Sequence, residues 1–284
     1  MDRETLAERL FLFAAVFSAS VTVLIFGFIV ALALPLFEKG LFFEMLAEPW
    51  LPDRGILGIY PMILGTGAIA LLSLAFSFPL SLGASAFIHT IAPFRIGRFL
   101  KKLVKMMTGI PTVIYGFVGI FLLVPIVREG FGYGSGMCSL SASLMLSLLI
   151  APTMILFFTE SFANVPKTYT DAVDALGGTP AQKFLYVILP ESWRGIVTGV
   201  VLALGRAMGD TLIALMIAGN SVAPPVSLLD SARTLTSHIA LIIAADFDSL
   251  EFKIIFACGI LLYLLTTAAV LSVRTLTEKA EQSR

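Results

Sequence analysis

Two ionisable residues four positions apart, Arg206 and Asp210, stand inside an otherwise uncharged run, residues 195–229 of a 284-residue chain. On one continuous helix that spacing puts them on one face. A charge in the middle of a bilayer costs about 2.5–3.5 kcal/mol even on the lenient insertion scale, so both need a compensating reason. A mutual salt bridge is one reason, and a polar path is another. Guanidinium offers a planar fork of donors that matches two oxygens of a phosphate-like anion, whereas lysine is a point charge. Arg206 therefore suits an oxyanion path. Asp210 would hold Arg206 while the path is empty, and an arriving anion would compete with it. The alternative is a structural ion pair locking this helix to a neighbour. Thr112, Tyr115, Thr211 and Asn220 could add hydroxyl or amide donors, or equally serve helix–helix hydrogen bonds.

Other chemistry has little to work with. Intramembrane aspartyl hydrolysis needs two carboxylates sharing a proton, and Asp210 is the one acid within the apolar runs. His89 and His238 are the only histidines, and Cys138 and Cys258 lie far apart without CxxC spacing. Neither a metal centre nor a disulfide framework is expected. Gly130, Gly132, Gly134 and Gly136 lack the strand-to-helix context of a phosphate cradle and read as a turn. No GxxxxGK[ST] motif occurs, so this chain is expected to bind no cofactor and to leave ATP and Mg²⁺ to a partner ATPase.

The elements that position these residues are membrane spans. The chain is 58% hydrophobic and 13% charged, against about 45–50% and about 25% in soluble domains. Its formal net charge of zero argues against a nucleic-acid partner. Uncharged runs cover residues 10–37, 55–93, 106–127, 130–159 and 254–273, and the run with Arg206 and Asp210 makes a sixth candidate. The first is too long for a signal-peptide core and reads as an anchor helix. Pro79 predicts a tilted or bent second span that continues toward the cytoplasm. Loops on the N-terminal side hold thirteen of the nineteen Lys and Arg, among them Arg95, Arg98, Lys101, Lys102 and Lys105, and the other side holds Lys39, Arg54, Arg128, Arg233 and Lys253. That bias places both termini in the cytoplasm. In the last outer loop, Leu235, Ile239, Leu241 and Ile242 could line one face of a short helix that lies on the outer surface or re-enters partway.

Between the fourth and fifth spans lies a cytoplasmic stretch, residues 160–194. It reads as a helix, a glycine break at Gly177-Gly178, and a second helix capped by Thr179 with Pro180 and Gln182 behind it. Phe184, Val187 and Ile188 give the second helix an apolar stripe that could press into a partner's groove, and Leu189-Pro190 closes it.

This stretch resembles the EAA loop of importer-type ABC permeases. Asp171, Ala172, Gly177, Val187, Leu189 and Pro190 fall on that pattern in register, with Asp171 in place of Glu and Val173 in place of the second Ala. The segments Gly109-Ile110-Pro111-Thr112-Val113-Ile114-Tyr115-Gly116, Gly205-Arg206-Ala207 and Met216-Ile217-Ala218-Gly219-Asn220 are similar to phosphate-importer permeases, closer to the PstC type than to PstA. That family usually has Glu where Asp210 stands.

The resemblance implies an all-α integral membrane protein with six transmembrane helices, the MetI-like fold of type I ABC importer permeases. An anchor helix and outer loop would occupy residues 1–60, the permease core 61–273 with its coupling loop at 171–190, and a cytoplasmic tail 274–284. Arg206 and Asp210 would serve transport, and the loop would dock on the ATPase. The implied partners are a second, PstA-like permease, a PstB-like ATPase dimer, and a PstS-like binding protein, periplasmic or lipid-anchored. Inorganic phosphate is the expected cargo, with phosphonate, molybdate or sulfate as alternatives. A channel or secondary transporter could own six spans but would not explain the loop.

Overall fold

The computed structural model describes residues 3–38, 40–247 and 249–282, with the side chains at 3–6, 273–274 and 276–282 outside that description. The chain opens with α1 (Arg3–Glu38), then α2 (Leu41–Met45) and an antiparallel pair, β1 (Trp50–Leu51) with β2 (Ile56–Leu57). Next come α3 (Tyr60–Ala86), α4 (Phe94–Met107), α5 (Thr112–Val118), α6 (Val124–Phe131) and α7 (Ser139–Ala163). The cytoplasmic hairpin comprises α8 (Lys167–Ala175), α9 (Pro180–Lys183) and α10 (Leu189–Glu191). The chain continues through α11 (Trp193–Gly209), α12 (Leu212–Ile217), α13 (Leu235–Ile242) and α14 (Leu250–Gln282).

Among the described residues five helical stretches are long and apolar enough to cross a membrane: Ala7–Glu38, Tyr60–Ile91, Thr112–Phe131, Ser139–Ala163 and Leu250–Ser272. The third joins α5 to α6 through a π-helical turn, Gly119–Leu123. The sixth expected span is discontinuous. α11 meets the hairpin at a 69° bend and stops at Gly209, after which the chain resumes helix as α12.

α3 and α7 form the centre of the bundle, and small residues let them approach. Ser73, Ser77, Ser81 and Ser85 recur every fourth residue along α3 and are fully buried. Their hydroxyls are satisfied largely within the helix, Ser73 Oγ donating to the Ile69 carbonyl at 2.6 Å and Ser85 Oγ to that of Ser81 at 2.7 Å. On α7, Leu146, Ile150, Met154, Phe158 and Phe162 make the apolar counterpart. Gly199 of α11 lies against Phe158, where a Cβ would come within 2.9 Å of the ring. α3 runs as one helix through Pro79, which is exposed, and ends in a second π-helical turn, Phe87–Ile91.

α1 is peripheral and packs on α14, with Phe26 and Tyr263 ring centroids 4.5 Å apart. Leu10, Phe11, Phe13 and Leu24 face outward, as an anchor helix in hydrocarbon allows. α14 continues as helix to Gln282, past the expected start of the tail. α13 is tucked into the protein: Leu235, Thr236, Ser237 and His238 are buried, and the helix packs on α3, α12 and α14. Leu241 departs from the expected face and is 43% exposed.

Candidate functional site

The break between α11 and α12 places the membrane-embedded charges. Gly209 ends α11, and Asp210 takes an extended backbone, φ −73° and ψ 126°. Helical periodicity therefore fails between Arg206 and Asp210, and among the described residues no ion pair joins them. The expected salt bridge is corrected by this break. Asp210 Oδ2 instead accepts the Ile213 N–H at 2.8 Å, capping α12. The Asp210 carbonyl, freed from helix, accepts the Thr236 hydroxyl of α13 at 2.9 Å.

Arg206 is half-buried near the end of α11 and donates Nη1 to Thr153 Oγ1 of α7 at 3.2 Å. Among the described residues it forms no ion pair, although Asp210 stands within electrostatic reach. The expected contest between an anion and Asp210 for Arg206 has no pair to displace in this conformation. Broken backbone at membrane depth is tolerated where it is buried in protein or lines a polar cavity. Asp210 and the hydroxyls of Thr153 and Thr236 supply the polar surroundings here.

The other expected donors divide. Tyr115 is buried on α5, within electrostatic reach of Arg206, with its hydroxyl 3.5 Å from the Met107 carbonyl. Thr112 opens α5 half-buried, and Thr211, half-buried, stands at the start of α12 just after the extended Asp210. Asn220 spends its amide on the Leu215 carbonyl at 2.6 Å, in a left-handed conformation of φ 57°. It ends α12 rather than facing Arg206. Gly219 before it, at φ 85°, fits where a Cβ would sit 2.7 Å from the Met137 carbonyl. Outside the spans, burial and the nearby Arg233 lower the His238 imidazole to about 3, so it is neutral. Its Nδ1 then accepts from Arg233 Nη1 at 3.5 Å.

The cytoplasmic hairpin holds together through local chemistry. Thr179 and Gln182 form a full capping box, with Gln182 N–H donating to Thr179 Oγ1 at 3.3 Å and Thr179 N–H to Gln182 Oε1 at 2.9 Å. Gly177 turns the chain at φ 76°, and Lys183 pairs with Asp174 across the turn. Asp171 and Ala172 lie exposed on α8. The apolar stripe faces inward: Ile188 is buried, and Phe184, Val187 and Leu189 pack on the core. Leu189-Pro190 lies in the last turn of the second helix, which runs Pro180–Glu191 and ends at Ser192. The outward apolar groups are Tyr169, Leu176, Leu185 and Tyr186, of which Leu176 and Tyr186 are 88% and 76% exposed.

Thr153, Thr236, Asp174 and Tyr186 are thus missing from the sequence reading. Only the Asp174–Lys183 pair has a local signal, opposite charges flanking the glycine turn. Thr153 and Thr236 come from elements distant in the chain and leave no trace in spacing. Among the described residues no cluster of three metal-ligating side chains occurs, and Cys138 and Cys258 are free and buried.

Residues 77–281 match the family described as binding-protein-dependent transport system inner membrane component. The probable ABC transporter permease protein YqgH of Bacillus subtilis (strain 168) is 31% identical, over 78% of this chain and 72% of that protein. The probable phosphate transport system permease protein PstC of Methanocaldococcus jannaschii is 30% identical over 77% of this chain and 75% of its own length. PstC of Haemophilus influenzae is 28% identical, with 84% and 82% covered. Among solved structures, a chain of the inward-facing MetNI methionine ABC transporter superposes at TM-score 0.59 and 22% identity, covering 80% of this chain and 96% of its own. A chain of a bacterial alginate ABC transporter superposes at TM-score 0.64 and 14% identity, covering 98% and 97%. These last two share the fold expected of six-span importer permeases. This chain belongs to the binding-protein-dependent transport system inner membrane component family, as a multi-pass permease subunit of an ABC transporter.

Proposed function

We propose that the chain is the PstC-type permease of an importer that carries inorganic phosphate into the cell. The observation that carries this reading is Arg206, a guanidinium at the break of a membrane span that forms no ion pair among the described residues. A planar donor fork that forms no ion pair, with Asp210 only within electrostatic reach, suits a tetrahedral oxyanion. The relatives named as phosphate permeases agree with that cargo. Arg206, Tyr115, Thr211 and Thr112 form one side of the path, and a PstA-like subunit supplies the other. Asp210 holds the break open by capping α12, so that its carboxylate is spent on the Ile213 N–H rather than on an ion pair with Arg206.

The hairpin transmits the work. Asp171, Ala172, Gly177, Val187, Leu189 and Pro190 shape it, while Tyr169, Leu176 and Tyr186 offer an exposed apolar surface to a PstB-like ATPase dimer. ATP and Mg²⁺ belong to that partner, and the permease itself forms and breaks no covalent bond. A PstS-like protein delivers phosphate from outside.

The test is ATP-dependent uptake of radiolabelled phosphate by vesicles holding the assembled importer. Accumulation that excess unlabelled phosphate suppresses and excess sulfate or molybdate does not is the expected result. Uptake of sulfate, molybdate or phosphonate in place of phosphate would keep the importer and discard its cargo.

A further inference from the structure

α4 divides into three faces. Gly97 and Val104, seven residues apart, press against the protein, with Gly97 so close to the turn Phe87–Ile91 that a Cβ would lie 2.9 Å from the Ile88 carbonyl. Phe99, Leu103 and Met106 make an apolar face that is exposed, 60%, 41% and 64% respectively. Arg95, Arg98, Lys102 and Lys105 make a third face, and no acid occurs on the helix.

The location fixes what these faces meet. Arg95 follows the uncharged run 55–93, and α4 leads directly into the next one at Met106. Lys101 pairs at 3.4 Å with Glu160, the first charge after the run along α7. α4 therefore lies at the membrane boundary, on the hairpin side. Beside it, a cleft of about 420 Å³ between α4 and α7 is lined by His89, Arg98, Lys101 and Thr159. Its size is in the range that holds small organic ligands. Arg98 stands over the Phe94 ring at 4.2 Å, at the edge of this cleft.

We propose that α4 is a binding site for anionic phospholipid of the cytoplasmic leaflet, its apolar face in the acyl boundary and a headgroup phosphate seated at Arg98 and Lys101. Four basic side chains beside an exposed apolar face are what an interfacial helix needs to prefer anionic over zwitterionic lipid. A soluble anion would need no apolar face next to the charges. The proposal is independent of which cargo the importer carries.

Native mass spectrometry of the assembled importer tests it, after extraction from phosphatidylcholine vesicles with and without phosphatidylglycerol. Wild type is expected to retain phosphatidylglycerol in preference to phosphatidylcholine. Arg95→Gln/Arg98→Gln/Lys102→Gln/Lys105→Gln should lower that enrichment by roughly tenfold or more, and the Arg95→Lys/Arg98→Lys variant should keep it. If the fourfold variant does not assemble, Arg95→Gln/Lys102→Gln, which leaves the cleft intact, should show a partial loss. Equal enrichment in wild type and variants overturns the proposal. So does displacement of the lipid by inorganic phosphate, which would mark a free-anion site, or cross-linking of a photoreactive residue at Phe99 to the second permease instead of lipid.

Discussion

The break at Asp210 and the hairpin 167–191 both interrupt helix, yet they are held in opposite ways. The hairpin closes on itself: capping box, left-handed Gly177 and the Asp174–Lys183 pair all lie within a dozen residues of one another. The break has one local bond, Asp210 Oδ2 accepting the Ile213 N–H, and is otherwise held from afar, by Thr153 of α7 on Arg206 and Thr236 of α13 on the Asp210 carbonyl. A segment that must move as a lever keeps its shape from local bonds. A segment that must hold a charge inside the membrane borrows its polar surroundings from neighbouring helices.

Substitutions can break that contrast. Gly219→Ala, just past the end of α12, should have the largest effect on stability, because φ 85° and the Met137 carbonyl at 2.7 Å both oppose a Cβ. Strain and crowding together cost roughly 3 kcal/mol, read as a lower melting temperature of the purified permease. Gly177→Val meets open space but the same left-handed backbone, at φ 76°, so it should cost about 1–2 kcal/mol. Its readout is a several-fold weaker ATPase association with the bundle's melting temperature unchanged.

Finer changes sharpen the comparison. Asp210→Ala removes the cap of α12 and should cost about 1 kcal/mol, whereas Asp210→Asn keeps an acceptor for Ile213 and should melt like wild type. If Asn and Ala destabilise equally, the cap is not what Asp210 provides. Thr236→Val, which removes one hydroxyl donor to the Asp210 carbonyl, should cost about 0.5–1.5 kcal/mol and leave ATPase association untouched. Weakened association there would mean that the two regions are not separately held.

The same contrast explains what the sequence makes legible. Thr179, Pro180, Gln182 and Gly177 state the hairpin's turn and cap within a few residues, so it can be read directly. The spans follow from uncharged length, and burial of Cys138 and Cys258 from the absence of motif spacing. What stays hidden is which face a residue turns to. Phe184 and Val187 read as a partner-facing stripe but pack inward, while Tyr186 beside them is exposed. Likewise the four-residue spacing of Arg206 and Asp210 implies a pair only if the helix is continuous. Gly209 and the capping of Ile213 by Asp210 end it between them, and the Thr236 hydroxyl of α13 takes up the freed Asp210 carbonyl.

The most direct test is the initial rate of phosphate uptake by the assembled importer carrying Arg206→Ala, with ATPase association measured on the same preparation. Loss of two charge-assisted hydrogen bonds, each about 1.5–3 kcal/mol, predicts a fall of roughly a hundredfold or more with the ATPase still bound. Uptake at the wild-type rate would contradict Arg206 as the anion's station and leave it a structural partner of Thr153.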